Sequence, residues 1–327
     1  MNTCFSFIVC TYRRAGELER CLASIVALPD ADIEIVVNDN ASPDNTGEVI
    51  ERFAGDPRLR PKRQPENIGL QRNFVDAIGR ASGSYLFILT DDDVLIPGAF
   101  PALRAFVDRH PEVALVLSPI VDVTGPGQPP LARRGPAATE PIYPPGARSA
   151  ATIAPWAAVL SRLLIRADAL DMRFFFEASN NAYFPCAVAA RIALSAHSGY
   201  LNEDLVAHTV ENVQHWDEFG RNWREIYFRT HRDYFLCLDL ALDDAGIAAR
   251  GTRILWRLRV VSDYASLAPK LGVPGFLRAR GVGNGLGELN RGFGGAWTAL
   301  LLAAAGLRTL LWLGTRVLHR QRGLSAP

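Results

Sequence analysis

The stretch Tyr85-Leu86-Phe87-Ile88-Leu89 has no charge, follows a Gly83-Ser84 break, and runs straight into Thr90-Asp91-Asp92-Asp93. An apolar run bounded this way predicts a buried strand. Three adjacent carboxylates at its end repel one another. A hard divalent cation, Mg²⁺ or Mn²⁺, relieves that repulsion because it prefers oxygen ligands. Ligands of open α/β sheets also bind outside the carboxyl ends of the strands, where these acids fall. Asp91, Asp92 and Asp93 are therefore metal candidates. The bland alternative is a solvated acidic turn before Pro97-Gly98.

The same unit recurs upstream. Phe5–Cys10 is an apolar run followed by the loop Thr11-Tyr12-Arg13-Arg14, after which Leu18, Cys21, Leu22, Ile25 and Val26 recur at helical spacing. Ile33–Val37 is a second strand, closed by Asn38-Asp39-Asn40-Ala41-Ser42. A helix then carries Val49, Ile50 and Phe53, with Ser42 or Asp44 as its cap. A further helix through Phe74, Ile78 and Ala81 leads back to the acidic strand. Strands alternating with helices predict an α/β fold, a mostly parallel sheet covered on both faces.

Composition narrows the class. With 327 residues, 49% hydrophobic and 21% charged, the chain can bury a core, so global disorder is excluded. Net charge is +1 but uneven. From Gly251 onward there are eleven Lys/Arg against Asp263 and Glu288, so that part carries 11 − 2 = +9 and residues 1–250 carry 1 − 9 = −8. Such asymmetry points to a tail that meets an anionic surface. Five cysteines, Cys4, Cys10, Cys21, Cys186 and Cys237, show no CxxC spacing. They read as reduced thiols of a cytoplasmic protein. The apolar start at Phe5–Val9 is too short for a signal peptide.

Five pieces then fall in order over residues 5–98: Val9–Arg14, Val37–Ser42, Glu66-Asn67-Ile68-Gly69-Leu70, Arg72-Asn73, and Thr90–Asp93 with Pro97-Gly98. Together they resemble family 2 glycosyltransferases with the GT-A (nucleotide-diphospho-sugar transferase) fold. The resemblance implies that Thr11 and Asp39 hold the base and ribose of a nucleoside-diphosphate sugar. It places Arg72 near the base or diphosphate, and the acids on a divalent metal (Mg²⁺ or Mn²⁺). Tyr12, Arg13, Asn67 and Asp91 complete the substrate-binding set. A fixed cation at Arg72 would offset diphosphate charge; otherwise Arg72 is a solvated helix end, Asp39 an Asx turn and Thr11 a helix cap. Many members place a spaced acid pair at the metal. Here Thr90 replaces the first acid, so Asp92 is the first metal candidate and Asp91 the second.

The second half is less legible. A helix through Phe100, Leu103, Phe106 and Val107 leads to a strand at Val113–Leu117, and residues 124–148, rich in Pro and Gly, read as a long loop over the site. The acidic pair that supplies the base in such enzymes is absent around Glu177-Ala178-Ser179-Asn180-Asn181; Glu177 is the nearest acid and the candidate base, with Glu203-Asp204 further on. Tyr183-Phe184-Pro185 and Val210–Trp216 resemble the abequosyltransferase-like branch. His208 and His215 are possible diphosphate or metal contacts, more ordinarily structural.

The expected organisation is a GT-A catalytic domain over 1–220, divided into a nucleotide-sugar half (1–118) and an acceptor half (119–220). A helical extension follows over 221–290, then an amphipathic membrane-associating tail over 291–327. In that tail Ala296–Leu307 carries no charge, and Arg308, Arg316 and Arg320 share one arc of a helical wheel. A span needs about 20 apolar residues, so the tail predicts an interfacial helix on the inner face of the plasma membrane, or else a helix docked on the catalytic domain. The resulting expectation is a metal-dependent, inverting transferase in bacterial polysaccharide or O-antigen assembly. Its partners would be a nucleoside-diphosphate sugar, a glycan or lipid-linked acceptor and a membrane surface, with no nucleic acid. The rival reading is a sugar-nucleotide-binding partner of a membrane transferase that no longer turns over.

Overall fold

The computed structural model describes residues 5–125, 128–135, 139–179, 183–210 and 236–258. The chain separates into two compact units, one of residues 1–213 with 240–247, the other of 214–239 with 248–327. In the second unit the described residues 250–258 are helical. There Asp239 accepts from Arg253 Nη1 at 2.8 Å and Arg257 Nη2 at 2.6 Å. The tail residues from 259 onward, with His215, Tyr227 and Tyr234, lie outside the described residues.

The first unit is built on β1 (Phe5–Thr11), β2 (Ile33–Asp39), β3 (Leu59–Arg63) and β4 (Tyr85–Ile88). All pair in parallel, in the spatial order β3-β2-β1-β4. The connecting helices are α1 (Ala15–Val26), α2 (Thr46–Arg52) and α3 (Leu70–Gly79). Beyond β4 the sheet continues through β10 (Leu163–Arg166), β6 (Val113–Leu117), β11 (His197–Tyr200) and β9 (Ile142–Tyr143). β10 is antiparallel to both β4 and β6, which the sequence pattern does not announce. A small second sheet has the order β5 (Val94–Leu95), β12 (Val206–Thr209), β7 (Ile120–Val123), β8 (Ala132–Arg134). The stretch read as a loop over 124–148 therefore contains β8, paired with β7, and β9, paired with β11.

Strand alternation explains the core. Phe5, Phe7 and Val9 of β1 and Tyr85 and Phe87 of β4 share one face with α1 and α4 (Phe100–Arg109), all buried. Phe5 meets Phe100 edge-on at 5.1 Å between centroids. α3 packs on β1 and β2, burying Phe74, Ala77 and Ile78. Glu34, buried on β2, fixes the entry to β4 by accepting from Ser6 Oγ, from Ser82 N and Oγ, and from Gly83 N. Burial pushes its pKa up, but these donors outweigh that and hold it below the usual value. The start of α2 differs from expectation. Asn45 stands at its N-cap without a side-chain cap, Asp44 binds Thr46, and Ser42 accepts from Arg13 N.

Candidate active site

The chain steps from β1 to β2 and β3 on one side, then returns to place β4 on the other side of β1. Such a reversal opens a crevice at the carboxyl ends of the strands. Thr11 ends β1 beside Asp39 at the end of β2. Leu89 N still donates to Ile8 O at 3.1 Å, so Thr90–Asp93 leave the sheet beside Val9–Thr11.

Arg14 organises the acids. Its Nη1 donates to Asp91 Oδ1 at 3.0 Å and to Asp92 Oδ2 at 2.9 Å, with all three side chains nearly buried. Arg13 has φ 59°, a left-handed conformation that non-glycine residues rarely adopt. Arg13 is exposed, whereas Arg14, the next residue, is buried among the acids. The sequence reading favours Arg13 and misses Arg14. The missed signal is the helical register, because Arg14 continues the stripe Leu18, Cys21, Leu22 and Ile25 that α1 buries. A charge on a buried stripe needs a partner. Burial pushes Asp91 up to about 7, helped by Asp92 and opposed by Arg14.

Two carboxylates meeting on one nitrogen mark a point that already accommodates a cation. Thr11 Oγ1 lies near enough to favour the Asp91 carboxylate, yet it is buried and meets no partner at hydrogen-bonding distance. These groups fit a hard divalent ion. Asp93 does not join them. It is fully buried, accepting from Thr90 Oγ1 at 2.8 Å and Thr209 N at 3.1 Å, with His208 Nδ1 at 3.0 Å. Of the three acids that the sequence offers to a metal, Asp93 is thus engaged in joining β12 to the acidic turn. Among the described residues no three His, Cys, Asp or Glu side chains form a metal cage. Burial pulls the His208 pKa down, but Asp93 outweighs it and holds the ring above its usual value. Thr90, in the place of an acid, also meets Ser161 Oγ at 2.8 Å through its hydroxyl.

Asp39 is fully buried. Its Oδ1 accepts from Ser42 N at 2.8 Å, an Asx turn, and its Oδ2 from Arg63 Nη1 at 2.8 Å. The half-exposed Arg63 guanidinium therefore lies against the carboxylate. Asn67 accepts from Asn40 Nδ2 at 2.8 Å, while Asn40 Oδ1 accepts from Ile68 N at 2.9 Å. This pair ties the loop before α3 to the end of β2. Tyr12 is half-buried, and Arg72 stands exposed in the first turn of α3. Glu177 is exposed on the helix Met172–Ala178, paired with Arg173 at 3.0 Å one turn away.

Residues 6–167 match Glycosyl transferase family 2. That stretch belongs to this family. It is 33% identical over 114 residues to abequosyltransferase RfbV of Salmonella typhimurium, covering 34% of each chain. It is 34% identical over 100 residues to the GalNAc(5)-diNAcBac-PP-undecaprenol beta-1,3-glucosyltransferase of Campylobacter jejuni, covering 30% of this chain and 32% of that one. The matches thus span about a third of these relatives. Among solved structures, S. aureus TarS with UDP-GlcNAc aligns with a TM-score of 0.52 at 16% identity, covering 88% of this chain and 91% of that one. The mannosyltransferase PcManGT of Pyrobaculum calidifontis, with GDP-Man and Mn2+, gives 0.53 at 16% identity, covering 95% and 88%. At that identity the likeness is one of fold, and the fold is GT-A. None of the described helices is long and apolar enough to cross a membrane.

Proposed function

We propose that this family 2 glycosyltransferase moves a sugar from a nucleoside-diphosphate donor to an acceptor hydroxyl, with inversion, in assembling a bacterial surface polysaccharide or O-antigen. The observation that carries the reading is the meeting of Asp91 and Asp92 on one cationic point at the switch crevice of a family 2 domain. Asp92 and Asp91 would hold Mg²⁺ or Mn²⁺. A divalent ion bound there supplies positive charge for the leaving diphosphate. Thr11, beside Asp91, orients the donor from the end of β1. Arg63, held against Asp39, and Arg72 present guanidinium donors to base and phosphate oxygens. Arg14 keeps the two carboxylates aligned before the donor arrives, so little reorganisation accompanies reaction. Glu177 is the proposed base for the acceptor hydroxyl; reaching it would require release from Arg173. The basic tail over 291–327 would lie on the inner membrane surface and bring a lipid-linked acceptor near, through leucine burial and arginine–headgroup attraction.

A panel of labelled sugar nucleotides, offered with membrane extract with and without a chelator, tests the reaction. Divalent-dependent incorporation from one donor is the expected result, and none from any donor refutes it. Flotation with anionic liposomes tests the tail: deletion of 296–327 should release the protein while nucleotide binding persists.

A further inference from the structure

Arg162 is a buried cation that the donor site leaves unused. It ends the short 3-10 turn Leu160–Arg162 before β10 and is 6% exposed. Its Nε and Nη2 both donate to a single acceptor, the Ser118 carbonyl, at 2.9 and 2.6 Å. Among the described residues no carboxylate comes within ion-pairing distance; the nearby Asp122 is paired with Arg134 at 2.6 Å. A guanidinium has five N–H donors, so three remain. Burial pushes its pKa down to about 10, which still leaves it charged at neutral pH. An ionised group is rarely buried without a counter-charge.

A second group in the same place also lacks a partner. Tyr200 is 1% exposed and its hydroxyl makes no hydrogen bond among the described residues; Gly135 packs on both that hydroxyl and Pro119, the residue after the carbonyl that Arg162 binds. The two flank β6, where Leu117 pairs with Leu163 on one side and Tyr200 on the other. A Cβ at Gly135 would stand 2.0 Å from Tyr200 Oη, so the hydroxyl abuts a position that has no side chain. The neighbour of Arg162 in sequence, Ser161, bonds Thr90 N at 2.9 Å, one residue from the acids.

We propose that Arg162 and Tyr200, beneath Gly135, form an anion-recognition subsite beside the donor site that takes a phosphate or carboxylate group of the acceptor. The guanidinium and the phenol supply charged and neutral donors of the kind that oxyanions accept. Anion binding stands on the geometry alone. Its assignment to the acceptor rests on the transferase reading. Arg14 is not an equivalent site, since two carboxylates already neutralise it.

The test is calorimetric titration of the full chain with inorganic phosphate, and separately with acetate, after a nucleoside diphosphate has saturated the donor site. At least one anion should bind. Tyr200→Phe should weaken it about tenfold, the value of one hydrogen bond to a charged group, without lowering the thermal midpoint, because that hydroxyl has no partner to lose. Gly135→Ala should abolish binding by crowding the hydroxyl. Binding of phosphate alone points to a phosphate-bearing acceptor, and binding of acetate to a carboxylated sugar. No binding by wild-type protein, or an unchanged affinity in Tyr200→Phe, overturns the subsite. Phosphate binding that vanishes once nucleoside diphosphate is present also overturns it, by placing the anion in the donor site. Persistent anion binding with no transfer from any sugar nucleotide leaves the subsite standing and removes the acceptor assignment.

Discussion

Arg14 and Arg162 are both buried guanidiniums at strand ends of one sheet, yet one is clasped by two carboxylates and the other, among the described residues, meets only a carbonyl. The first closes its own electrostatic account inside the fold. The second leaves charge without a counter-charge among the described residues. Glu34 is an intermediate case, a buried carboxylate satisfied by hydroxyl and backbone donors rather than by a cation. The contrast separates charge that holds structure from charge available to a ligand, a distinction that burial alone does not make.

The most direct way to break the contrast is Arg14→Ala. It strands two carboxylates and should lower unfolding free energy by about 3–5 kcal/mol, read from urea denaturation. Arg14→Lys should recover part of that loss. Asp92→Asn comes next. It should keep the fold but reduce divalent-dependent transfer on the order of 10²-fold, with weaker Mn²⁺ binding by electron paramagnetic resonance. A wild-type rate with unchanged metal dependence would remove Asp92 from the site.

Glu34→Gln sharpens the middle case. Its loss at pH 7 should be about 1–2 kcal/mol, the scale of hydrogen bonds to a charged acceptor. The folded pKa of Glu34 lies below its ordinary value of 4.5. Its contribution is therefore complete above pH 4.5 and declines as pH falls through the lower folded value. The variant should flatten the acid limb of a stability–pH curve, and an identical limb would contradict this account. Arg162→Met should change stability least, by within about 1 kcal/mol, because relief of a buried charge offsets the lost contact to Ser118. A loss as large as that of Arg14→Ala would show that Arg162 is structural and erase the contrast.

The strands β1, β2 and β4 and the helices α1 and α3 were legible in the sequence because each depends on local periodicity, which side-chain alternation and helical turns impose directly. The acids at the end of β4 were legible for the same reason, as charges that follow at once upon an apolar run. Arg14 was within reach through the register of α1. Other features had no local trace. The antiparallel insertion of β10, the strands within 124–148, the engagement of Asp93 by His208 and Thr209, and the contact of Arg162 with the Ser118 carbonyl all join residues far apart in the chain. Sequence by itself determined the alternation of parallel strands and helices and the acids that end β4. Only the tertiary structure decided which charges were neutralised, because a counter-charge is chosen by distance in space, and no periodicity along the chain encodes that distance.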